Sequence, residues 1–287
     1  MPAYAADWSD TSLSWRHGSA FREPFVNTAT GGAQNISKNI LGLTHASGYK
    51  YGVNFFNVDM LMSDNKDPAS CPGFVCTGSA QEVYVVYRNT FDIGKISGKE
   101  LKGAGARGFG ATVGFDYNAK TDAGYNSKKR MLVAGPTAMM DVPGFLNISI
   151  LELWESNAPC GTFGPGLGGY PAGTNCISRY TYKTHPMLNF AWGIPLGGSG
   201  FSFEGFTNII ASKGTNEFGG QTKSEFNFDG QIMYDLSALA GGSKGTFKVG
   251  FEYQYWRNKF GNDYTTAAGG GPGAFAKTPM IRAEYHF

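Results

Sequence analysis

The chain has 287 residues and a formal net charge of +2 at pH 7, and 42 of its residues are glycine. Asp, Glu, Lys and Arg make up 16% of the chain, below the roughly 25% typical of soluble domains, whereas aromatic residues make up 15%. The charges form no basic cluster, which argues against a nucleic-acid-binding protein. No run reaches the roughly eighteen apolar residues that a membrane-spanning helix needs, so a membrane location would require a β-barrel.

The amino-terminal residues carry part of an export pattern. The tripeptide AYA at 3–5, followed by Ala6, has the small-x-small form of a signal-peptidase site, without the apolar region that precedes such a site. We expect residues 1–6 to be the remnant of a trimmed signal and residues 7–287 to form a single barrel domain. An ordinary alanine-rich start is the alternative.

From residue 8 onward, apolar and polar side chains alternate with a period of two, which is typical of strands whose two faces meet different surroundings. The runs predict twelve strands, at roughly 8–18, 36–47, 50–62, 80–93, 107–118, 129–141, 145–156, 179–193, 200–212, 223–236, 246–258 and 275–287. Short connections are predicted near 47–49, 143–144 and 197–199, and long ones at 19–35, 63–79, 157–178 and 259–274. Connections of alternating length are typical of bacterial outer-membrane barrels.

Two segments depart from this regular pattern. In YGVNFFNVDML, residues 51–61, both faces carry apolar residues, which predicts a bulge or a change of register with Phe55, Asn57 and Asp59 directed inward. The segment GKISGKELKGAGA, residues 94–106, is longer than an ordinary turn and is predicted to form a small folded loop.

The last strand shows what each face meets. In MIRAEYHF, the face with Tyr285 and Phe287 is apolar, and the other face carries Arg282, Glu284 and His286. Because every polar face must meet water, two architectures remain: a soluble sandwich with polar faces outward or a membrane barrel with polar faces inward. The aromatic content, the connection lengths and the terminal phenylalanine favour an all-β transmembrane antiparallel barrel in the bacterial outer membrane.

The four cysteines form two close pairs in segments rich in Gly, Pro and Asn. Cys71 lies near Cys76, and Cys160 lies near Cys176. Two local disulfides in an oxidising compartment are expected, although the other pairings stay open. A zinc site is the less favoured alternative, because no CxxC motif and no neighbouring histidine accompany the thiols.

Three stretches resemble the Tsx-type family of nucleoside-specific channel-forming outer-membrane proteins. They are GIPLGGSGFSFEGFTN at 193–208, YQYWRNKFGND at 253–263 and MLVAGPTAMMDVPGFLNIS at 131–149. The tetrapeptide GFTN is the most specific part, while the amino-terminal third matches mainly in pattern and the cysteine pairs have no counterpart that we know of in the family. The resemblance implies a twelve-stranded barrel that passes nucleosides and deoxynucleosides by facilitated diffusion.

Inward-facing residues supply the candidate nucleoside site. Aromatic rings can stack on a base, and Phe206 and Trp256 lie on polar faces, with Phe55 as a further candidate. Polar candidates for base edges and ribose hydroxyls are Glu204, Asn208, Asn227, Asp229, Glu252 and Gln254. Charges of both signs are predicted to line the lumen: Arg16, Arg88, Lys183, Lys248, Arg282, Asp59, Asp116 and Glu284. Of these, Arg16 and Asp59 complete the candidate nucleoside site. Rings that merely fill the lumen, solvated polar residues and wall-stiffening ion pairs are the structural alternatives.

No catalytic or cofactor site is predicted. The four histidines, His17, His45, His185 and His286, are scattered without an evident acid, base or nucleophile partner. Expected partners are nucleosides and outer-membrane lipid or lipopolysaccharide, and the resemblance adds the outer-membrane assembly machinery through Phe287. We expect a monomer that does not bind nucleic acid. Two other functions stay open: a similar barrel for small aromatic or hydrophobic solutes, and a non-conducting surface receptor or adhesin.

Overall fold

The computed structural model describes residues 6–71, 74–162, 174–239 and 241–287. The predicted export remnant at 1–6 lies outside this part of the chain except for Ala6. Within the described residues, no helix is both long enough and apolar enough to cross a membrane.

Twelve long antiparallel strands form one closed sheet. Their bounds are β1 (Trp8–Phe21), β2 (Ile36–Tyr49), β3 (Gly52–Ser63), β4 (Gln81–Asp92), β5 (Ala106–Lys120), β6 (Lys128–Met140), β7 (Phe145–Asn157), β8 (His185–Pro195), β9 (Phe201–Ile210), β10 (Glu225–Asp235), β11 (Phe247–Arg257) and β12 (Phe275–His286). Each strand pairs with its neighbours in sequence. The sheet closes where β1 pairs with β12, from Ser12 opposite His286 to Gly18 opposite Met280.

Smaller elements lie in the connections. Two short hairpins pair Pro68–Cys71 with Phe74–Ser79 and Cys160–Thr162 with Thr174–Cys176, and Tyr180–Thr181 pairs with β7. The helix α1 (Ile93–Ser97) confirms the folded loop predicted after β4. The Asp92 side chain caps this helix by accepting a hydrogen bond from the Lys95 backbone N–H at 3.1 Å, and Gly98 ends it with a φ of 69°.

The connections divide into two rims. The rim where β1 begins and β12 ends carries connections 50–51, 93–105, 141–144, 196–200 and 236–246, as far as their residues are described. The opposite rim carries the described parts of connections 22–35, 64–80, 121–127, 158–184, 211–224 and 258–274. In outer-membrane barrels the shorter connections face the periplasm. The two ends of this barrel are therefore called the periplasmic and the extracellular rim.

The structure corrects three local predictions. β2 continues to Tyr49, through the turn predicted at 47–49. β8 begins at His185 instead of 179, because most of the preceding segment belongs to the extracellular connection. β3 keeps one register with both neighbours, so the bulge predicted in 51–61 is wrong. Apolar side chains on both faces of β3 need no bulge, because lipid accepts one set and the crowded lumen accepts the other.

The two faces of the sheet have opposite chemistry. Outward side chains such as Leu132, Ile150 and Phe251 are 61%, 60% and 74% exposed, although they are strongly apolar. Inward positions hold most of the polar and charged side chains of the strands, and these are largely buried against one another. An apolar exterior around a polar interior is the inverse of a soluble barrel, so the chain forms a transmembrane barrel of the bacterial outer-membrane type.

Ile150 tests this orientation, because it lies near the middle of β7 on the outer face. We expect Ile150→Arg to destabilise the folded barrel by about 2–4 kcal/mol, the cost of an arginine at the bilayer midplane. Urea unfolding in phospholipid vesicles measures this difference. Leu239→Arg is the control, since Leu239 is 82% exposed in a periplasmic connection. Equal effects of the two substitutions would contradict the assigned orientation.

Candidate functional site

The strand register determines which side chains line the lumen. On β9, β10 and β11, Phe206 pairs with Asp229 and Asn208 pairs with Asn227, so these side chains share the inner face. The same register continues to Trp256, which lies opposite Asn227. By this criterion all eleven candidate residues face inward: Arg16, Phe55, Asp59, Glu204, Phe206, Asn208, Asn227, Asp229, Glu252, Gln254 and Trp256.

The polar candidates on β9–β11 form a connected surface. Glu204 accepts hydrogen bonds from Lys248 Nζ at 3.2 Å and from Gln231 Nε2 at 3.3 Å. Asp229 accepts one from Gln254 Nε2 at 3.0 Å. Within the described residues, the buried Oδ1 atom of Asn227 accepts no hydrogen bond. A buried amide oxygen without a donor is costly, so this position favours contact with water or a polar solute.

Arg16 lies on β1 and connects β11 to β3, across the pairing of β1 with β12 that closes the sheet. Its guanidinium forms an ion pair with Asp59 on β3 and lies 3.2 Å from Glu252 Oε1 on β11. Arg282 on β12 contacts the other oxygen of Glu252 at 2.7 Å. Gly42 on the intervening strand leaves room for the pair, because a Cβ atom there would lie 2.5 Å from Ser14 Oγ and 3.0 Å from Asp59 Oδ1.

The three inward aromatic candidates lie at different levels of the barrel. Phe55 is close to the periplasmic end of β3, and Phe206 is in the middle of β9. Trp256 is near the extracellular end of β11, where its Nε1 donates to Glu225 Oε1 at 2.5 Å and its ring lies 4.9 Å from that of Phe260. They are therefore successive positions along one path and do not enclose a single base.

One predicted lumen charge is misplaced. Lys183 is exposed and precedes β8, so it does not line the barrel. His185 begins β8 and is directed inward, with its Nε2 atom 3.8 Å from Glu155 Oε2. The difference follows from the later start of β8, which leaves the Lys183 side chain in the extracellular connection.

An apolar inner wall was not predicted. On β6, β7 and β8 the inward side chains Met131, Val133, Leu151, Leu153 and Met187 form one buried cluster, against which Ile210 of β9 packs. The available signal was the run of consecutive apolar residues in MLVA and SILEL. Toward the periplasm this wall ends at Thr137, whose hydroxyl forms hydrogen bonds of 2.6 and 2.8 Å with those of Thr112 and Ser149.

The extracellular connection 211–224 closes over the apolar wall. Its Lys213 reaches down to Glu155 Oε1 at 2.8 Å and lies 4.0 Å from the centre of the Tyr182 ring. Glu217 accepts a hydrogen bond from the Tyr182 hydroxyl at 2.6 Å and another from the Tyr125 hydroxyl. Burial raises the pKa of Glu217 to about 7. The connection is thus held by one lysine in the lumen and one carboxyl at the mouth.

A charged cluster ties the remaining extracellular connections together. Its members are Glu23, Lys38, Asp67, Lys120, Asp122 and Lys259, all buried. Glu23 lies 2.6 Å from Lys38 Nζ and 3.1 Å from Lys259 Nζ, and Lys120 Nζ lies 2.8 Å from Asp67 Oδ2. Burial alone would raise the pKa of Glu23, but the surrounding ammonium groups outweigh it and hold this pKa well below its ordinary range.

One of the two expected disulfides is present in the described residues. Cys160 and Cys176 are bonded across the hairpin in the connection between β7 and β8. The side chains expected to form the other bond, Cys71 and Cys76, lie outside the described part of the structure. No group of three or more His, Cys, Asp or Glu side chains within that part is arranged to hold a metal ion.

Glu217 predicts a pH dependence of barrel stability. A carboxyl whose pKa is about 7 when folded and ordinarily near 4.5 stabilises the fold most below pH 4.5, and that contribution is lost as the pH rises toward 7. We therefore expect the thermal midpoint of the native chain, relative to that of Glu217→Gln, to fall across this interval. Glu100→Gln, at an exposed periplasmic position, controls for the loss of one charge. Parallel midpoint curves for the native chain and Glu217→Gln would contradict the prediction.

No protein-family model matches the sequence, and no curated protein sequence matches it significantly. Solved structures similar to the chain include the KdgM porin, at 9% identity and a TM-score of 0.41, covering 96% of this chain and 99% of the porin. The translocator domain of autotransporter NalP from Neisseria meningitidis is 8% identical with a TM-score of 0.46, covering 97% and 88%. The TodX deltaS2S3 mutant monoaromatic hydrocarbon channel is 8% identical with a TM-score of 0.35, covering 98% and 90%. Similarity at this level assigns no function.

Proposed function

We propose that the protein is a passive outer-membrane channel for nucleosides, as the resemblance to the Tsx-type family implies. The observation that carries this proposal is the staggered series of inward aromatic rings, Phe55, Phe206 and Trp256, each beside polar side chains. A nucleoside presents a flat base that stacks on aromatic rings and a ribose whose hydroxyls need hydrogen-bond partners. The lumen offers both kinds of contact at successive levels.

The electrostatics of the lumen favour a neutral solute. Arg16, Glu252 and Arg282 form ion pairs with one another, with Asp59 and with Glu284. A small ion passing this point would meet charges that are already compensated, whereas a neutral polar molecule could form hydrogen bonds without opposing a net field. Asn227 Oδ1, which accepts no hydrogen bond within the described residues, is a ready acceptor for an amino or hydroxyl group.

Weak binding at several levels suits transport better than one tight site. A solute must bind at each position readily and also dissociate from it, and a single high-affinity site would retain the solute. The separation of Phe55, Phe206 and Trp256 along the barrel supports stepwise passage down a concentration gradient.

Nucleoside block of ion current tests the function. With the purified protein in planar bilayers, adenosine or thymidine should reduce the current, and Phe206→Ala or Trp256→Ala should weaken this block. Loss of one stacking contact, about 1–3 kcal/mol, corresponds to a roughly 5- to 150-fold higher half-blocking concentration. Phe203→Ala and Tyr255→Ala are matched controls, because these rings belong to the same strands but face outward.

The controls make contrary results informative. A conducting barrel that no nucleoside blocks would refute the function. If nucleosides still block both Phe206→Ala and Trp256→Ala, the proposed function stands but the proposed binding site is refuted. A folded barrel without measurable conductance would favour the surface receptor or adhesin.

The apolar wall supports a second candidate, a channel for small aromatic or hydrophobic solutes. Leu151, Leu153 and Met187 are buried beneath connection 211–224. If that connection opened, they would offer a surface to which a hydrocarbon ring could bind without any hydrogen bond. Under this alternative, Leu151→Asn should slow the flux of benzyl alcohol into liposomes by several-fold while nucleoside block is unchanged. Under the nucleoside function, benzyl alcohol flux should be low in the native protein and insensitive to Leu151→Asn.

A further inference from the structure

The periplasmic segment 93–105 exposes apolar side chains on the outside of the barrel. Helix α1 in this segment has no buried residue. Ile93 and Ile96, three positions apart on one helix face, are 44% and 53% exposed. A short helix in water gains nothing by presenting two isoleucines to solvent, so this face is suited to an apolar surrounding.

The exposed helix face continues the lipid-facing wall of the barrel. Phe91 ends the outward row of β4 directly before the helix, and Phe109 lies on the outward row of β5 beside it. Tyr51 in the adjoining turn is also exposed, and the Lys50 ammonium lies 5.0 Å from the centre of its ring. The apolar exterior therefore extends without a break from the strands to α1 at the periplasmic rim.

Basic residues are concentrated in and beside this periplasmic segment. They are Lys50, Lys95, Lys99, Lys102 and Arg107. By contrast, the periplasmic connections 141–144 and 196–200 contain no lysine or arginine, and 236–246 contains one lysine. Lys95 Nζ lies 3.3 Å from the Tyr49 carbonyl oxygen and 3.9 Å from the exposed Asp7 carboxylate, and its side chain is 43% exposed. Lys102 lies 3.1 Å from the exposed Glu100 carboxylate. Because such exposed ion pairs are weak, both lysines remain able to contact an anionic group.

We propose that these residues, the rim patch, bind an anionic phospholipid of the inner leaflet of the outer membrane. Ile93 and Ile96 would lie among the upper parts of the acyl chains, while the lysines would contact the phosphate group. Two observations identify the occupant: the patch is continuous with the surface that already meets lipid, and its charge is complementary to an anionic headgroup. Lipopolysaccharide lies in the other leaflet and would not reach this rim.

Lipid retention by the full-length chain tests the proposal. The protein is reconstituted in phosphatidylcholine containing phosphatidylglycerol, extracted in mild detergent and examined by native mass spectrometry for bound lipid. Phosphatidylglycerol should be enriched over phosphatidylcholine, and added salt should reduce this enrichment. The variant K95Q/K99Q/K102Q should retain roughly tenfold less phosphatidylglycerol, because each lysine contributes to attraction of an anionic surface.

A number-matched control separates this patch from general charge effects. The variant K66Q/K128Q/K223Q removes three lysines from the extracellular side and should retain phosphatidylglycerol as the native chain does. Ile93→Ser with Ile96→Ser should lower retention of both lipids at this site. Heat-modifiable mobility in gels verifies that every variant is folded, since none of the changed side chains is buried.

The contrary outcomes are distinct. Equal phosphatidylglycerol retention by K95Q/K99Q/K102Q and the native chain overturns the proposal, as does an equal loss in the extracellular control. Enrichment of phosphatidylcholine to the same degree overturns the assigned headgroup chemistry. Because the rim patch lies on the outside of the barrel, nucleoside block should be unchanged in all these variants.

Discussion

Closure of the sheet is the constraint on which the rest of this structure depends. In hydrocarbon an unpaired backbone N–H or C=O group costs several kcal/mol, so the first strand must pair with the last. The register of that pairing sets Arg16 opposite Arg282, two like charges on neighbouring strands. Glu252 lies within reach of both guanidinium groups and compensates them. The seam therefore combines a backbone ladder with a side-chain network directed into the lumen.

The same network shows why a glycine matters in the second strand. Arg16 reaches Asp59 across β2, and a side chain at Gly42 would occupy the space between them. Four strands, β11, β12, β1 and β3, are consequently linked by charges through Arg16, Glu252, Arg282 and Asp59. Ion pairs buried inside a barrel add little stability compared with apolar packing. Their contribution here is to define the shape and the charge of the barrel interior.

The period-two pattern predicted the strand number and the inward position of residues such as Phe206 and Trp256, and together with the aromatic content and the connection lengths it predicted the barrel. It could not predict the apolar wall, because Met131 and Leu132 are both apolar and a two-residue period does not distinguish lipid from lumen. Contacts of Lys213 and Glu217 were also beyond its reach. They join an extracellular connection to β7 and to other connections far away in sequence, and a local sequence pattern carries no information about such long-range contacts.

If the barrel conducts solutes as proposed, its two inner walls would together restrict how a solute can lie in the lumen. One wall, on β6 to β9, is apolar through Leu151 and Met187, while β9 to β12 carry carboxylates and amides such as Asp229 and Asn227. A molecule with one apolar face and one polar edge can satisfy both walls at once, whereas a purely apolar or a fully charged molecule can satisfy only one. A nucleoside has this division, because the faces of its base are apolar and its edges and ribose are polar. Under the proposed nucleoside function, opening of connection 211–224 would expose the apolar wall, and the wall would then orient the base so that its edge meets the polar side of the lumen.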